Sequence, residues 1–234
     1  MENCLKFIDL FAGLGGMRIG LEAACKSLDI KSECVLSSEI KSHAIATYKK
    51  NFQDNKIQGD INRIATKDIP DFDILLAGFP CQPFSTAGKR EGFLDTRGTL
   101  FFEIERILQA KSPFGFILEK VEGLVKHDRG RTLSTIINNL QKLGYQVTSK
   151  VLNAVDFGIP QNRKRIYIVG NKFYPISLDF PITKRNNLKA ILQRGYPTLE
   201  TEFVKKLLER YSVQELIGKA IKDKRGAHIL QLVA

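Results

Sequence analysis

The chain has few residues of the types that bind metal ions or form disulfides. Its 234 residues include four cysteines and three histidines. No two cysteines form a C-x-x-C pair, and His43, His127 and His228 lie far apart in the sequence. Zinc sites and disulfide frameworks need such residues at close, regular spacing. We therefore expect no metal site and no disulfide framework, as in a reduced, cytoplasmic protein.

Long apolar segments are also missing. No stretch approaches the roughly 20 apolar residues that a membrane span requires. The short apolar run at the N-terminus is interrupted by Asp9 and does not follow the basic-then-apolar pattern of a secretory signal. The sequence therefore predicts no membrane partner and no secretory leader.

Acidic residues are outnumbered by basic ones, 25 to 36, which gives a formal net charge of +11. A positive excess favours a polyanionic partner such as nucleic acid, although a merely basic surface remains an alternative. The hydrophobic share of 43% and the charged share of 26% are typical of a globular protein. The length is sufficient for one substantial domain and a small appendage.

Apolar runs alternate with amphipathic stretches along most of the chain. Strands are predicted at 5–11, 33–38, 72–77, 114–118, 145–152 and 165–169, and helices at 17–27, 43–51, 100–109 and 132–143. This alternation predicts an α/β fold, with a mostly parallel twisted sheet covered by helices on both faces. Because only a short loop separates the last two strands, we expect them to form an antiparallel hairpin at one edge.

The alternation stops near residue 171. Pro175, Pro181 and Pro197 interrupt the chain beyond it, and residues 202–221 have the pattern of a charged amphipathic helix. The simplest interpretation of that helix is a solvated element packed on the main domain. We predict one domain over residues 1–171 and a separate region over residues 172–234.

A glycine-rich turn follows the first predicted strand and opens the first helix. Its members are Phe11, Ala12, Gly13, Leu14, Gly15 and Gly16. Glycines allow a tight turn whose amides approach a ligand, and α/β sheets bind nucleotide-like ligands at this place. The turn matches neither G-x-G-x-x-G nor the P-loop pattern, which disfavours a dinucleotide or a triphosphate.

Two acidic residues extend this predicted cofactor site. Glu39 ends the second strand, where a carboxylate can accept hydrogen bonds from both hydroxyls of a ribose. Asp60, after Gly59, could accept a hydrogen bond from an adenine amino group. An exposed acid at the start of a helix is the alternative interpretation of Glu39.

The segment Gly78-Phe79-Pro80-Cys81-Gln82-Pro83-Phe84-Ser85 is the most informative one in the chain. It follows a buried strand, and its prolines stiffen the backbone around the cysteine. A thiolate held at the mouth of a sheet can attack without first ordering its own loop. We interpret Cys81 as a nucleophile and the other cysteines as small core hydrophobes.

Charged residues at two later strands complete the candidate site. Glu119 directly follows an apolar run, so we expect it at the same sheet edge as Cys81, as a proton donor. At period two, Arg163 and Arg165 share one face of the last strand, while Lys164 points to the other. Guanidinium groups beside the cysteine would favour its thiolate. A solvated run of charges is the alternative.

These motifs, in this order from about residue 7 to residue 170, resemble those of the cytosine-C5 DNA methyltransferases. The resemblance implies a Rossmann-like fold, S-adenosylmethionine as the cofactor and double-stranded DNA as the substrate. It also implies a prokaryotic, cytoplasmic enzyme of a restriction–modification system. In this chemistry the thiolate attacks C6 of a cytosine flipped out of the duplex, and C5 then accepts a methyl group.

The resemblance also implies a role for each candidate residue. Cys81 would be the nucleophile, Glu119 the partner of cytosine N3, and Arg163 and Arg165 the Q-x-R-x-R pair, with Arg165 touching the base. The glycine turn would hold the methionine portion of the cofactor. The remaining cofactor contacts would be Phe11 and Ile61 beside the adenine, Glu39 on the ribose, Asp60 on the adenine amine, and Ile40 and Pro80.

The sequence departs from the family pattern in three places. Ile40 stands where the family often has an aromatic residue beside the acid, so the adenine would rest on aliphatic surface. Lys120 follows the glutamate where the family has asparagine, and a lysine there could favour the thiolate or pair with Glu119. We expect it to reduce activity, so that Lys120→Asn would raise turnover. The resemblance also implies that residues 172–234 are a linker and the start of a truncated target-recognition region, and the motifs expected after residue 226 are missing. A split enzyme with a second polypeptide for target recognition and an inactive remnant from a truncated gene are the two explanations. An RNA cytosine methyltransferase is a further alternative, because basic charge does not separate DNA from RNA.

Overall fold

The computed structural model describes residues 4–53, 56–79 and 99–183. The strands of this part are β1 (Cys4–Leu10), β2 (Lys31–Ser38), β3 (Ile57–Gln58), β4 (Ile74–Ala77), β5 (Gly115–Val121), β6 (Gln146–Asn153) and β7 (Lys164–Asn171). The helices are α1 (Gly16–Ser27), α2 (Ser42–Phe52), α3 (Thr99–Lys111) and α4 (Arg131–Lys142). Short 3-10 turns join several of these elements.

The strands form one sheet in the order β3-β2-β1-β4-β5-β7-β6. β1 runs parallel to β2 and β4, β2 runs parallel to β3, and β4 runs parallel to β5. β7 is antiparallel to β5, and β6 lies beside it at the edge of the sheet. The predicted α/β class, with a mostly parallel sheet and an antiparallel edge, is confirmed.

Helices cover both faces of the sheet because successive strand residues point to opposite sides. Phe7 and Leu76 pack on one side with Met17 and Leu21 of α1. The larger core cluster lies on the other side and joins the strands to α3 and α4; its members include Ile8, Leu75, Phe101, Ile104, Ile107, Ile136 and Leu140. The sequence pattern predicted this two-sided arrangement.

The strands and helices predicted before residue 171 are all present, with ends that differ by a few residues. The short β3 was not predicted, because two residues carry no periodic signal. β5 continues three residues beyond the apolar run, through its pairing with β7. Glu119 therefore lies inside β5 and not at its end, which corrects the sequence-based expectation.

The chain divides into two compact units. The first contains residues up to 152 together with 164–180, and so holds nearly all of the sheet. In the described part of the chain the second unit contains residues 153–163 and 181–183. The boundary at residue 171 stays a prediction, and the helix predicted over 202–221 lies outside the described residues. No helix in the described part is long and apolar enough to cross a membrane.

Candidate active site

Most of the predicted site residues lie at one edge of the sheet, where the parallel strands have their carboxyl ends. The glycine turn follows β1, Glu39 follows β2, Asp60 follows β3, and Gly78 with Phe79 follows β4. Parallel α/β sheets bind ligands at this edge. Pro80 and Cys81 lie outside the described residues, so their positions stay predictions.

The glycine turn depends on left-handed backbone conformations. Gly13 and Gly15 have φ angles of 56° and 86°, and Phe11 has a φ of 54°, which is costly for a residue with a side chain. A Cβ atom on Gly15 would lie 2.2 Å from Cε2 of Phe52. Glycine is therefore required at position 15 both by its conformation and by the space available.

Glu39 ties this turn to the end of β2. Its Oε2 accepts a hydrogen bond from the Gly13 amide at 2.9 Å, and its Oε1 accepts from the amides of Ile40 and Lys41 at 2.9 Å each. The side chain is buried, so the alternative of an exposed acid at a helix start is wrong. Since each carboxylate oxygen has two acceptor sites, Oε2 can still accept a hydroxyl.

Residues of the predicted adenine site differ in their exposure. Ile40 is 70% exposed beside Glu39, so it offers apolar surface to a ligand. Ile61 is only 1% exposed and packs in the main core. Asp60 caps the 3-10 turn at Ile61–Arg63, where its Oδ1 accepts from the backbone and the side chain of Asn62 at 3.0 and 2.6 Å. Adenine contacts by these residues stay predictions.

Glu119 and Arg165 form an ion pair, with Arg165 Nε 2.8 Å from Glu119 Oε1. Glu119 lies opposite Tyr167 in the antiparallel register, and Val121 lies opposite Arg165, so the pair is diagonal on one face of the sheet. Both side chains are about one-fifth exposed, at 21% and 22%. Arg165 therefore orients the carboxylate, a contact that the sequence did not predict.

The free oxygen of this carboxylate faces the start of the nucleophile segment. A Cβ atom built on Gly78 would lie 3.9 Å from Glu119 Oε2 and 3.9 Å from the carbonyl oxygen of Phe11. The structure thus brings Glu119, the end of β4 and the glycine turn together. Glycine at position 78 leaves open space between these groups.

Arg163 precedes β7 and belongs to the second unit. Its amide donates a hydrogen bond to Asn153 Oδ1 at 2.9 Å, and its side chain is exposed. Lys164 makes a longer ion pair with Glu122 at 3.7 Å, with both side chains half exposed. The expectation that Arg163 and Arg165 act on one base stays a prediction.

Lys120 is buried, and its ammonium lies over an aromatic ring. The residue is 4% exposed, and its Nζ is 4.1 Å from the ring centroid of Phe79. Alternation along β5 directs Lys120 and Glu119 to opposite faces of the sheet, and Glu119 pairs with Arg165. The sequence-based alternative of a Lys120–Glu119 pair is therefore not supported.

Comparison with known proteins identifies the family. The family model described as C-5 cytosine-specific DNA methylase matches residues 5–230. The chain belongs to the C-5 cytosine-specific DNA methylase family. The fold class and the sequence-based resemblance agree with this assignment.

Two bacterial members of the methylase family are close relatives in sequence. The Type II methyltransferase M.NlaIV of Neisseria lactamica is 57% identical over 229 residues, which cover 95% of this chain and 54% of that protein. The Type II methyltransferase M.NlaX of the same species is 49% identical over 217 residues, covering 92% of this chain and 68% of that protein. The chain thus spans about half the length of M.NlaIV.

Solved structures share the fold at lower identity. The Entamoeba histolytica methyltransferase EhMeth has a TM-score of 0.70 at 22% identity, covering 84% of this chain and 62% of that one. A DNMT2 mutant of Spodoptera frugiperda has a TM-score of 0.68 at 20% identity, covering 98% and 84%. At this identity the likeness establishes the methyltransferase fold alone.

Sequence reasoning missed a buried polar network on the α1 and α2 side of the sheet. The Tyr48 hydroxyl lies 2.7 Å from Ser37 Oγ and 3.4 Å from Asp9 Oδ2, and it accepts a hydrogen bond from Arg18 at 3.1 Å. Burial raises the pKa of Asp9 to about 7, although Arg18 and Tyr48 oppose the shift. Burial also raises the pKa of Tyr48. An aspartate between apolar residues in the second half of β1 was the available signal.

Metal ligands do not assemble among the residues that the structure describes. In residues 4–53, 56–79 and 99–183 there is no group of three or more histidine, cysteine, aspartate or glutamate side chains that could hold a metal ion. The candidate site in this part of the chain consists of backbone amides, carboxylates and a guanidinium.

The contact between Lys120 and Phe79 leads us to expect an effect of Lys120→Asn opposite to the one predicted from the sequence. Asparagine is too short to reach the Phe79 ring, so the variant loses a cation–π contact and leaves a small cavity. We expect the free energy of unfolding to fall by about 1–3 kcal/mol and turnover to fall with it. Chemical unfolding and methyl-transfer assays of Lys120→Asn check this, with Lys120→Arg as the variant that keeps a cation. Higher turnover in Lys120→Asn would restore the sequence-based expectation.

Proposed function

We propose that this chain is the catalytic part of a DNA (cytosine-5)-methyltransferase of a type II restriction–modification system. One observation carries the proposal. The glycine turn, Glu39 and the Glu119–Arg165 pair meet at the carboxyl edge of the sheet, where the chain leads from Gly78 into the Pro80-Cys81 segment. Family membership and the names of the bacterial relatives support it.

The cofactor proposal is S-adenosylmethionine, bound by the residues of the glycine turn and by Glu39. The turn presents its backbone where a helix begins, and the buried Glu39 carboxylate retains an acceptor site for a ribose hydroxyl. Leu14 and Ile40 expose apolar side chains beside them. When bound, the cofactor supplies an electrophilic methyl group on its sulfonium.

In the proposed reaction the Cys81 thiolate is the nucleophile, and Glu119 is the hydrogen-bond or proton donor. The Cys81 thiolate forms a bond to C6 of the flipped cytosine, and the C5–C6 double bond opens. Glu119 contributes a hydrogen bond or proton at N3, which stabilises the negative charge that develops on the ring. C5 would then take the methyl group, with S-adenosylhomocysteine as the leaving group. A base would remove the C5 proton, so that the C5–C6 double bond re-forms and the bond between C6 and the Cys81 sulfur breaks.

Arg165 has a positioning role in this scheme. Its guanidinium binds one oxygen of Glu119 at 2.8 Å and leaves the other directed toward Gly78. A fixed carboxylate loses less freedom when the base arrives, which is how oriented groups accelerate reactions. The contact between Arg165 and the base that the resemblance implies would add to this role.

Target recognition is proposed to need more protein than this chain. The chain spans 54% of M.NlaIV and of M.NgoBV, the Type II methyltransferase of Neisseria gonorrhoeae. The rest of a longer protein, or a second polypeptide, would then supply the base-edge contacts that define a DNA site. The type II relatives favour double-stranded DNA over RNA as the substrate.

The test is covalent capture on duplex DNA that contains 5-fluorocytosine. Fluorine at C5 cannot be removed as a proton, so the methylated adduct remains attached to the nucleophile. With S-adenosylmethionine and a pool of random sequences, we expect a denaturation-resistant complex that Cys81→Ser abolishes. Cys4→Ser is the matched control and should form the complex normally.

Each outcome of the capture experiment has a distinct meaning. A complex that forms only when the C-terminal half of a relative is added supports the catalytic role and a divided enzyme. A complex that Cys81→Ser retains would contradict the nucleophile assignment. The absence of a complex under both conditions would reject the proposed function.

A further inference from the structure

Arg18 occupies an unusual position for a cation. It lies in the first turn of α1, three residues after Gly15, and is only 7% exposed. A positive charge near a helix N-terminus opposes the helix dipole, and burial adds a desolvation cost. α1 has neither an acidic residue in its first turn nor a side-chain cap. Favourable contacts must therefore offset the free-energy cost of burying Arg18 at this position.

Those contacts connect α1 to the last turn of α2. The Arg18 guanidinium carbon lies 3.9 Å from the ring centroid of Phe52 and 5.5 Å from that of Tyr48. Its Nε pairs with Glu22 at 2.7 Å, and its NH1 donates to the Tyr48 hydroxyl. The guanidinium is therefore fixed by a carboxylate, a hydroxyl and two aromatic rings.

The same end of α2 packs against the glycine turn. Asn51 Nδ2 donates a hydrogen bond to the carbonyl oxygen of Leu14 at 2.9 Å. The Phe52 ring lies so close to Gly15 that a Cβ atom there would be 2.2 and 2.5 Å from two ring carbons. Phe52 is thus shared between the glycine turn and Arg18.

This arrangement matters because the turn is strained. Phe11, Gly13 and Gly15 all have positive φ angles, and such conformations persist only where surrounding contacts fix them. Glu39 fixes one side of the turn through the Gly13 amide. Phe52, stacked on Arg18, fixes the other side at Gly15.

We propose that Arg18, acting through Phe52, is a positioning residue for the methionine-binding portion of the cofactor site. The inference rests on the proposed cofactor and deepens it. Arg18 does not touch the ligand; it holds Phe52 against Gly15, so that the turn is already formed when the cofactor arrives. Preorganisation of this kind raises affinity by reducing what must be ordered on binding.

The test separates the two halves of the ligand. S-adenosylhomocysteine would contact the turn as well as Glu39 and Ile40, whereas adenosine alone would lie only beside Glu39 and Ile40. By isothermal calorimetry we expect Arg18→Met to weaken S-adenosylhomocysteine binding about tenfold and to leave adenosine binding within about twofold. Phe52→Leu should have the same selective effect, and Arg18→Lys a smaller one.

The affinities for the same two ligands are also measured for a control variant. Arg131→Met removes the first-turn arginine of α4, which pairs with Asp128 in the preceding turn, and should change neither affinity. Circular dichroism shows whether each variant is folded. Equal losses for both ligands, or an unchanged affinity for S-adenosylhomocysteine in Arg18→Met and Phe52→Leu, would overturn the inference. If the unaltered chain binds neither ligand, the cofactor proposal itself fails.

Discussion

Glu119→Gln is expected to slow covalent capture of 5-fluorocytosine DNA by about 10²–10⁴-fold, the usual contribution of a positioned acid or base. The amide has nearly the same shape as the carboxylate but cannot supply a proton to N3. It also replaces the charged partner of Arg165, whose Nε lies 2.8 Å from the carboxylate. The rate of adduct formation under single-turnover conditions measures the effect.

The neighbouring ion pair provides a matched control for Glu119→Gln. Glu122 lies three residues further on and pairs with Lys164 at 3.7 Å, with both side chains half exposed. Glu122→Gln should leave the rate within about twofold, because exposed pairs contribute little. Equal rates for Glu119→Gln and the unaltered chain would remove Glu119 from the mechanism. A large decrease in the free energy of unfolding of Glu119→Gln would instead attribute the slower capture to a folding defect.

Asp9→Asn is expected to flatten the dependence of stability on pH. Burial raises the pKa of Asp9 from 3.8 to about 7, while Arg18 and Tyr48 lower it, and Glu22 and Glu39 raise it further. Between these pH values the folded state holds a proton that the unfolded state has released. The free energy of unfolding therefore falls as pH rises from about 4 to about 7, then levels off. The full effect is at most about 4 kcal/mol.

Urea unfolding between pH 4.5 and pH 8, followed by circular dichroism, checks this prediction. Asparagine keeps the acceptor for the Tyr48 hydroxyl but cannot ionise, so the variant should be more stable than the unaltered chain at pH 8. Asp71→Asn is the control, since that carboxylate is 95% exposed in its pair with Lys111. If the free energy of unfolding changed with pH in the same way for Asp9→Asn and for the unaltered chain, Asp9 would not be a buried group that titrates in this range.

The fold could be predicted because each strand and helix has its own pattern of apolar residues within a short stretch of sequence. Apolar runs of four to eight residues alternate with amphipathic stretches, and each run became a strand of the sheet. The length of β5 was underestimated because the apolar run that predicted the strand stops at Leu118. The strand continues because the backbone of Glu119, Lys120 and Val121 pairs with β7, and backbone pairing does not require apolar side chains.

The site was predictable only in part. Residues at strand ends, such as Glu39 and those of the glycine turn, could be assigned because the ends of parallel strands meet at one edge. Their partners could not be assigned. The Glu119–Arg165 pair depends on the antiparallel register of β5 and β7, and the Lys120–Phe79 contact on how β5 lies beside the end of β4. Neither contact leaves a local pattern in the sequence.

The three hydrogen bonds accepted by Glu39 have a further consequence. They join the amide of Gly13 to those of Ile40 and Lys41, so one carboxylate fastens the first two strand–helix junctions together. Glu39 then stabilises this edge of the sheet independently of any contact with a ligand. A variant without it would lose cofactor affinity even if the ribose never touched that side chain. Affinity alone would overstate the contribution of a ribose contact, and the rigidity of the ligand-free turn has to be measured as well.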